Sequence, residues 1–323
     1  MSRGRAGRPP RRGLVLGAGG VLGAAWTIGA LKALEEVEGF DPGTVEVLVG
    51  TSAGSVLATL LGSGLTPDAL LHHQQGVVVE GETHLVYDHD ANGPLPPRPR
   101  LGIGSRGLLV RTALHPRSTP PLAALYAMLP AGRGSLKPIG RLVHAVTPAG
   151  PWSPHPSLWV VALDYDGGHR VVFGQDGAPG AHLSEAVMAS CSVPGWYAPV
   201  DIAGRRYVDG GTWSSTSLDL LSGLGLDEVY VLAPMASFRY DRPDSVVARL
   251  ERRWRRRVTR RLLREAELVR ASGTDVTMVG PGPEDLSAIG ANLMDPRRRT
   301  QVLETSLRTS VSALRRSPLE DVS

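Results

Sequence analysis

The chain has 323 residues, of which 42% are hydrophobic and 20% charged, with Lys+Arg 35 against Asp+Glu 31 and a formal net charge of +4. This is the composition of an ordinary soluble globular protein with ample core, and the modest cationic surplus does not by itself point to nucleic acid. A single cysteine, Cys191, excludes an intrachain disulfide framework and a thiolate zinc cluster, so a reducing compartment, the cytoplasm, is the expected setting.

Residues 1–12, MSRGRAGRPPRR, are basic and rich in Gly and Pro, with no apolar run behind them, and read as a disordered leader. Nowhere do 18 apolar residues run together, so no transmembrane helix is expected. Gly13 to Leu16 reads as a buried strand, followed by a glycine loop from Gly17 to Gly23 and a helix over 24–38. A second strand-turn-helix unit runs from Val45 to Leu61 through Gly50-Thr51-Ser52-Ala53-Gly54, ending near Gly62-Ser63-Gly64. Two such units in series favour a parallel sheet with crossover helices.

Periodicity weakens over 66–156, where His72, His73, His84, His89 and the prolines Pro94, Pro96, Pro97 and Pro99 fall, with a turn at Asn92-Gly93-Pro94. Short helices are expected over 122–128 and 139–146, and the region reads as an insertion or lid over the sheet. Strand character returns at Leu158 to Leu163, with a hairpin partner at Arg170 to Phe173, a helix over 182–189 and a short strand at Arg206 to Val208 that ends on Asp209-Gly210-Gly211. Further strands are expected at Glu228 to Leu232 and Asp275 to Val279, and a closing helix over 296–314. One domain, 13–316, and a short tail, 317–323, account for the chain.

The segment around Ser52 has the G-x-S-x-G form of a nucleophile elbow, in which Gly50 and Gly54 let strand and helix meet sharply with the hydroxyl at the tip. The same residues also describe a serine that merely caps a helix. A serine hydroxyl needs a base. The nine histidines lie at 72, 73, 84, 89, 115, 144, 155, 169 and 182, so none precedes Ser52 and none follows Asp209. The three standard triad orders are therefore unavailable, and a carboxylate is the leading base. Asp209, at a strand end and followed by Gly210 and Gly211, is the best candidate; Asp164 and Asp166 are rivals, and an ordinary Asp-Gly turn is the plain structural reading. The Gly17–Gly23 loop supplies unobstructed N–H donors for an oxyanion. Its other reading, a dinucleotide fingerprint in an oxidoreductase, needs glycine where Leu22 stands.

Taken in order, LVLGAGGVLGAAWTIGAL, GTSAG, ASCSVPGWYAPV and YVDGG resemble the patatin-like phospholipase family over about residues 13–235. The resemblance implies an α/β fold of three layers, a central mostly parallel sheet flanked by helices. It also implies a Ser-Asp dyad carried onto Ser52 and Asp209, an oxyanion hole carried onto Gly19 and Gly20, lipid or acyl ester substrates, and chemistry that needs no metal or organic cofactor. Leu22 stands where the family carries Arg or Lys, Ala18 replaces a glycine, and Ser214 to Ser217 replace an Asn-Pro pair. These departures motivate an alternative, a weak or inactive lipid-binding protein on the same fold.

Two features remain. Cys191 reads as a buried structural residue, with no basic neighbour in sequence to lower its pKa. From Arg249 to Arg264 the chain carries nine arginines, with Leu250, Trp254, Val258 and Leu262 at i+4 spacing. Either this helix lies on an anionic membrane as a peripheral anchor, or the stripe packs on the sheet and the arginines are solvated or paired with acids. Nucleic acid is not expected, because no aromatic platform accompanies the arginines.

Overall fold

The computed structural model describes residues 8–315 except 84, 86, 88–92, 94–99, 101, 103, 115–120, 149, 242 and 244, with 121–124 described by backbone alone. The start of the basic leader, His84, His89, His115, Asn92, the prolines at 94, 96, 97 and 99, and the tail from 317 lie outside the described residues.

In chain order the elements are β1 (Arg12–Leu16), α1 (Gly20–Glu38), β2 (Val47–Thr51), α2 (Ala53–Gly62), α3 (Pro67–Gln75), α4 (Arg106–Leu114), α5 (Pro121–Met128) and α6 (Lys137–Val146). Then come β3 (Leu158–Asp164), β4 (His169–Phe173), α7 (Leu183–Ser190), β5 (Val200–Ile202), β6 (Arg205–Asp209), β7 (Glu228–Leu232), α8 (Val246–Ala271), β8 (Asp275–Val279), α9 (Pro283–Ile289) and α10 (Arg299–Arg315).

The strands form one sheet in the order β5-β6-β3-β2-β1-β7-β8, with β4 pairing β3 off that path. β3, β2, β1, β7 and β8 are parallel to one another, β4 and β6 each run antiparallel to β3, and β5 pairs antiparallel with β6. The parallel part follows from strands apolar on both faces, which must be covered by helices on both sides. Alternation divides each strand between two cores. Leu14, Leu16, Leu48 and Leu232 face α1, α2 and the layer containing Trp26, Ile28 and Leu31. Val15, Val49, Val229 and Val231 face Leu262, Ala266 and Val269 of α8. The result is the expected three-layer α/β fold.

Local chemistry explains the helices that weak periodicity concealed. Thr66 caps α3, its hydroxyl accepting from the Ala69 N–H at 3.2 Å, and Pro67 starts the helix. Neither α3 nor α4 is apolar enough to be read from the sequence, and the same holds for the three-residue β5. α1 begins at Gly20, four residues earlier than expected.

The largest correction concerns α8. Its buried face is Arg252, Arg255, Thr259, Leu262, Glu265, Ala266 and Val269, not the i+4 stripe, of which Leu250 is 59% exposed and only Leu262 is fully buried. The reason is pairing. Glu251 reaches both Arg252 and Arg255, Asp241 meets Arg252 at 2.8 Å, and Arg255 donates to the Pro234 carbonyl at 2.7 Å. Buried guanidinium groups are tolerable only with such partners.

Candidate active site

The elbow follows directly from β2. Ser52 has φ 54 and ψ −125, one of three non-glycine residues with positive φ among the described residues. Backbone held in this region costs about 1–3 kcal/mol and persists where the surroundings enforce it. Gly50 and Gly54 do not themselves adopt positive φ; their role is close approach. A Cβ on Gly54 would lie 2.0 Å from the Leu16 carbonyl oxygen of β1, and one on Gly50 would lie 2.4 Å from the Ser55 Cα. α2 starts at the next residue, so its N-terminal partial charge acts at the serine.

Strand register brings the acid to the serine. β3 lies between β2 and β6, with Thr51 opposite Val161 and Asp209 opposite Ala162, so the ends of β2 and β6 meet at one level of the sheet. Gly210 then lets the chain pass close over β3, since its Cβ would sit 2.4 Å from the Val161 carbonyl oxygen. The Ser52 Oγ donates to Asp209 Oδ2 at 2.6 Å, and the Gly211 N–H donates to Asp209 Oδ1 at 2.7 Å. Both residues are nearly closed to solvent, Ser52 at 6% and Asp209 at 4% exposure.

Burial dominates the electrostatics of Asp209. Desolvation pushes its pKa up to about 7, against the opposing pull of its hydrogen bonds from Ser52 and Gly211. Tyr126 and Tyr197 lie near enough to feel its charge: burial and then Asp209 raise the Tyr126 phenol, while burial chiefly raises that of Tyr197, with Tyr87, Cys191 and last Asp209 adding to it. Asp164 and Asp166 are occupied elsewhere. Asp164 accepts the N–H groups of Asp166 and Gly167 in the β3-β4 hairpin, while Asp166 pairs with Arg206, whose hydrogen bond holds its carboxyl low.

The glycine loop after β1 is fastened on several sides. The Gly17 N–H donates to the Leu232 carbonyl at 2.9 Å, Ala18 N–H to Ser215 at 2.8 Å, and Leu22 N–H to Leu293 at 3.0 Å. Between these, the N–H groups of Gly19, Gly20 and Val21 have no acceptor among the described residues. Gly20 has φ +61, and a Cβ there would meet the Leu293 carbonyl oxygen at 2.9 Å; at Gly19 it would meet Pro234 at 2.7 Å. Unclaimed donors in a fastened loop are the form an oxyanion site takes, and Gly19 and Gly20 are the two of these three that the sequence singles out. A phosphate cradle fits poorly, because Leu22 is fully buried and Leu293 already takes its N–H.

Supporting residues came to light that sequence reasoning had not found. Ser190, within the ASCSVPG segment, accepts the Ser52 N–H at 2.8 Å and donates to the Val161 carbonyl at 2.6 Å, so it fixes the elbow to β3. Its neighbour Cys191 is buried against Ser55, with its thiol pushed up by burial and then by Asp209. The Ser214 to Ser217 segment that departs from the family pattern is held by Glu265 of α8, which accepts from Ser214 Oγ at 2.6 Å, Thr216 Oγ1 at 2.9 Å and the Leu218 N–H at 3.1 Å. Only the tertiary fold joins these residues: Ser190 lies in a motif that does not show its partner, and no motif marks Glu265. Among the described residues no group of three His, Cys, Asp or Glu side chains is placed to hold a metal ion.

The pattern of the patatin-like phospholipase family matches residues 14–222. No curated protein matches the chain. Among solved structures, the chain is similar to the type III effector protein ExoU, with 18% identity over 95% of this chain and 53% of that one and a TM-score of 0.38. It is also similar to VipD from Legionella pneumophila, with 16% identity over 94% of this chain and 70% of that one and a TM-score of 0.43. The chain thus spans about half the length of ExoU.

Proposed function

The chain belongs to the patatin-like phospholipase family, and from that membership we propose that it is a serine acyl hydrolase cleaving fatty acyl esters of lipids through a Ser52-Asp209 dyad. The observation that carries the reading is the 2.6 Å hydrogen bond from Ser52 Oγ to a buried carboxylate whose pKa burial lifts to about 7. A base near neutrality is strong enough to accept a serine proton and weak enough to return it.

In this scheme Ser52 Oγ attacks the acyl carbonyl carbon as its proton passes to Asp209 Oδ2. The carbonyl π electrons move to oxygen, and the resulting anion faces the N–H groups of Gly19 and Gly20. Collapse breaks the ester C–O bond, and the departing alcohol takes the proton from Asp209. Water then gives a proton to Asp209 as its oxygen attacks the acyl-serine. A second collapse frees the fatty acid and returns the proton to Ser52. Gly50, Gly54, Gly210 and Gly211 act by the close approaches that set this geometry. The lipid substrate places the protein at a bilayer surface, and the Arg249–Arg264 helix is its proposed peripheral contact.

Cleavage of p-nitrophenyl acyl esters tests the dyad. Ser52→Ala should abolish turnover and labelling by a fluorophosphonate probe, and Asp209→Asn should cut kcat by about 10²–10⁴-fold. Wild-type turnover in either variant would sink the proposal. The alternative, an inert lipid-binding relative, rests on Leu22 and Ala18, and both side chains are buried in the loop's packing. It requires that Ser52 take no label.

A further inference from the structure

The face of α8 opposite its core contacts is an unusual surface. Arg253, Arg256, Arg257, Arg260 and Arg264 make no salt bridge with any described residue, in contrast to Arg252, Arg255 and Arg261, which all pair with acids. Ser237, Thr259 and four of these arginines, Arg253, Arg256, Arg257 and Arg260, line an open groove of about 490 Å³. Beside it lies a cluster of exposed apolar side chains: Tyr240 at 69%, Val246 at 68%, Val247 at 63% and Leu250 at 59%. Val246, Leu250, Arg253 and Arg257 recur at i, i+4, i+7 and i+11, so apolar and cationic groups share one stripe.

Position adds meaning to composition. β7 and β8 are parallel, so α8, which joins them, runs back across the sheet and begins at the end where the strands finish. Ser52 and the glycine loop lie at that same end. Arg255 donates to the Pro234 carbonyl, and Pro234 is the residue packed on Gly19. The N-terminal half of α8 therefore lies at the same end of the sheet as Ser52, with its buried face toward Pro234 and its arginine face outward.

We infer that this half-helix, with Tyr240 and the arginine groove, docks the protein on the surface of an anionic phospholipid bilayer, phosphate groups entering the groove and Val246, Val247 and Leu250 inserting at the interface. Its purpose rests on the hydrolase reading, but its existence does not. Charge complementarity selects the occupant: guanidinium groups without internal acids match lipid phosphates and carboxylates, and each basic residue at such a surface contributes about 1 kcal/mol. Apolar side chains next to them favour a bilayer, which accepts insertion, over a nucleic acid duplex, which does not.

The test is sedimentation of the full chain carrying Ser52→Ala, so that vesicles survive, with phosphatidylcholine alone and with phosphatidylcholine and phosphatidylserine in equal parts. The expected result is binding that needs phosphatidylserine and weakens with salt. Arg253→Gln/Arg257→Gln/Arg260→Gln should bind on the order of a hundredfold more weakly, and Val246→Ser/Leu250→Ser should weaken binding while leaving its salt dependence. Equal binding to both vesicle types, wild-type binding by the arginine variant, or preference for duplex DNA over anionic vesicles would overturn the inference. Cleavage of a soluble ester by the same variants with Ser52 restored judges the hydrolase reading separately, and it should be unchanged, since all these residues are exposed.

Discussion

Asp209 and Glu265 are both buried carboxylates, and they sit in opposite kinds of surroundings. Asp209 accepts two hydrogen bonds, from the Ser52 hydroxyl and the Gly211 N–H, and no cation touches it among the described residues. Glu265 accepts four, from two hydroxyls, the Leu218 N–H and the Arg261 guanidinium at 3.0 Å. A carboxylate saturated with donors holds structure, whereas one short of donors in a dry place is ready to take a proton. The two are connected: Glu265 holds the Ser214 to Leu218 segment, and the Ser215 carbonyl in that segment anchors the Ala18 N–H beside Gly19 and Gly20. The C-terminal part of the chain, beyond the family match, thereby supports a loop of the N-terminal part.

The comparison breaks most visibly at Glu265. Glu265→Ala strands two buried hydroxyls and a buried N–H, and should destabilise the fold by about 3 kcal/mol, measured by urea unfolding. Through the Ser215–Ala18 link, kcat on a soluble ester should fall with little change in KM, because the N–H groups proposed to meet the oxyanion lose their aim while substrate contacts remain. Glu265→Gln keeps an acceptor for the hydroxyls and should recover part of kcat. Equal activity in all three proteins under conditions where each is folded would cut the link.

A smaller effect sharpens the other side. Only the ionised form of Asp209 can take the serine proton, and its pKa stands at about 7. The acid limb of a kcat/KM profile should therefore fall tenfold per pH unit below about 7, each unit being about 1.4 kcal/mol. A limb that bends near 4, the ordinary aspartate value, would mean that the carboxylate is hydrated during turnover.

What could be read from the sequence was whatever lies within a few residues. β1, the elbow, β3, β6 with Asp209-Gly210-Gly211, and β7 each carry an apolar run and a glycine punctuation, and the absence of a usable histidine singled out a carboxylate. The pairing of Ser52 with Asp209 over Asp164 or Asp166 depends on strand register, because all three aspartates end or follow strands. The buried face of α8 defeated periodicity for a different reason: Arg252 and Arg255 enter the interior on the strength of Glu251, Asp241 and a Pro234 carbonyl, which no hydropathy pattern records. Leu293 and Pro234 against the glycine loop, and Ser190 beneath the elbow, are contacts between segments far apart in the chain.

The smallest effect is also the one whose sign is least intuitive. The folded-state pKa of Asp209 is raised above its value in an unfolded chain, so between about pH 4 and pH 7 the folded protein holds a proton that the unfolded chain has lost. Stability from this group is present at low pH, declines as pH rises through that window, and is fully forfeited above about 7. Asp209→Asn carries no such charge, so it should be more stable than wild type at pH 8, read as a higher Tm, with the gain shrinking toward pH 4. Glu265→Gln should never gain, because its four donors are arranged for a charge. A protein made inert and more stable by one atom's change at Asp209, and only weakened by the same change at Glu265, would separate the carboxylate kept for chemistry from the one kept for structure.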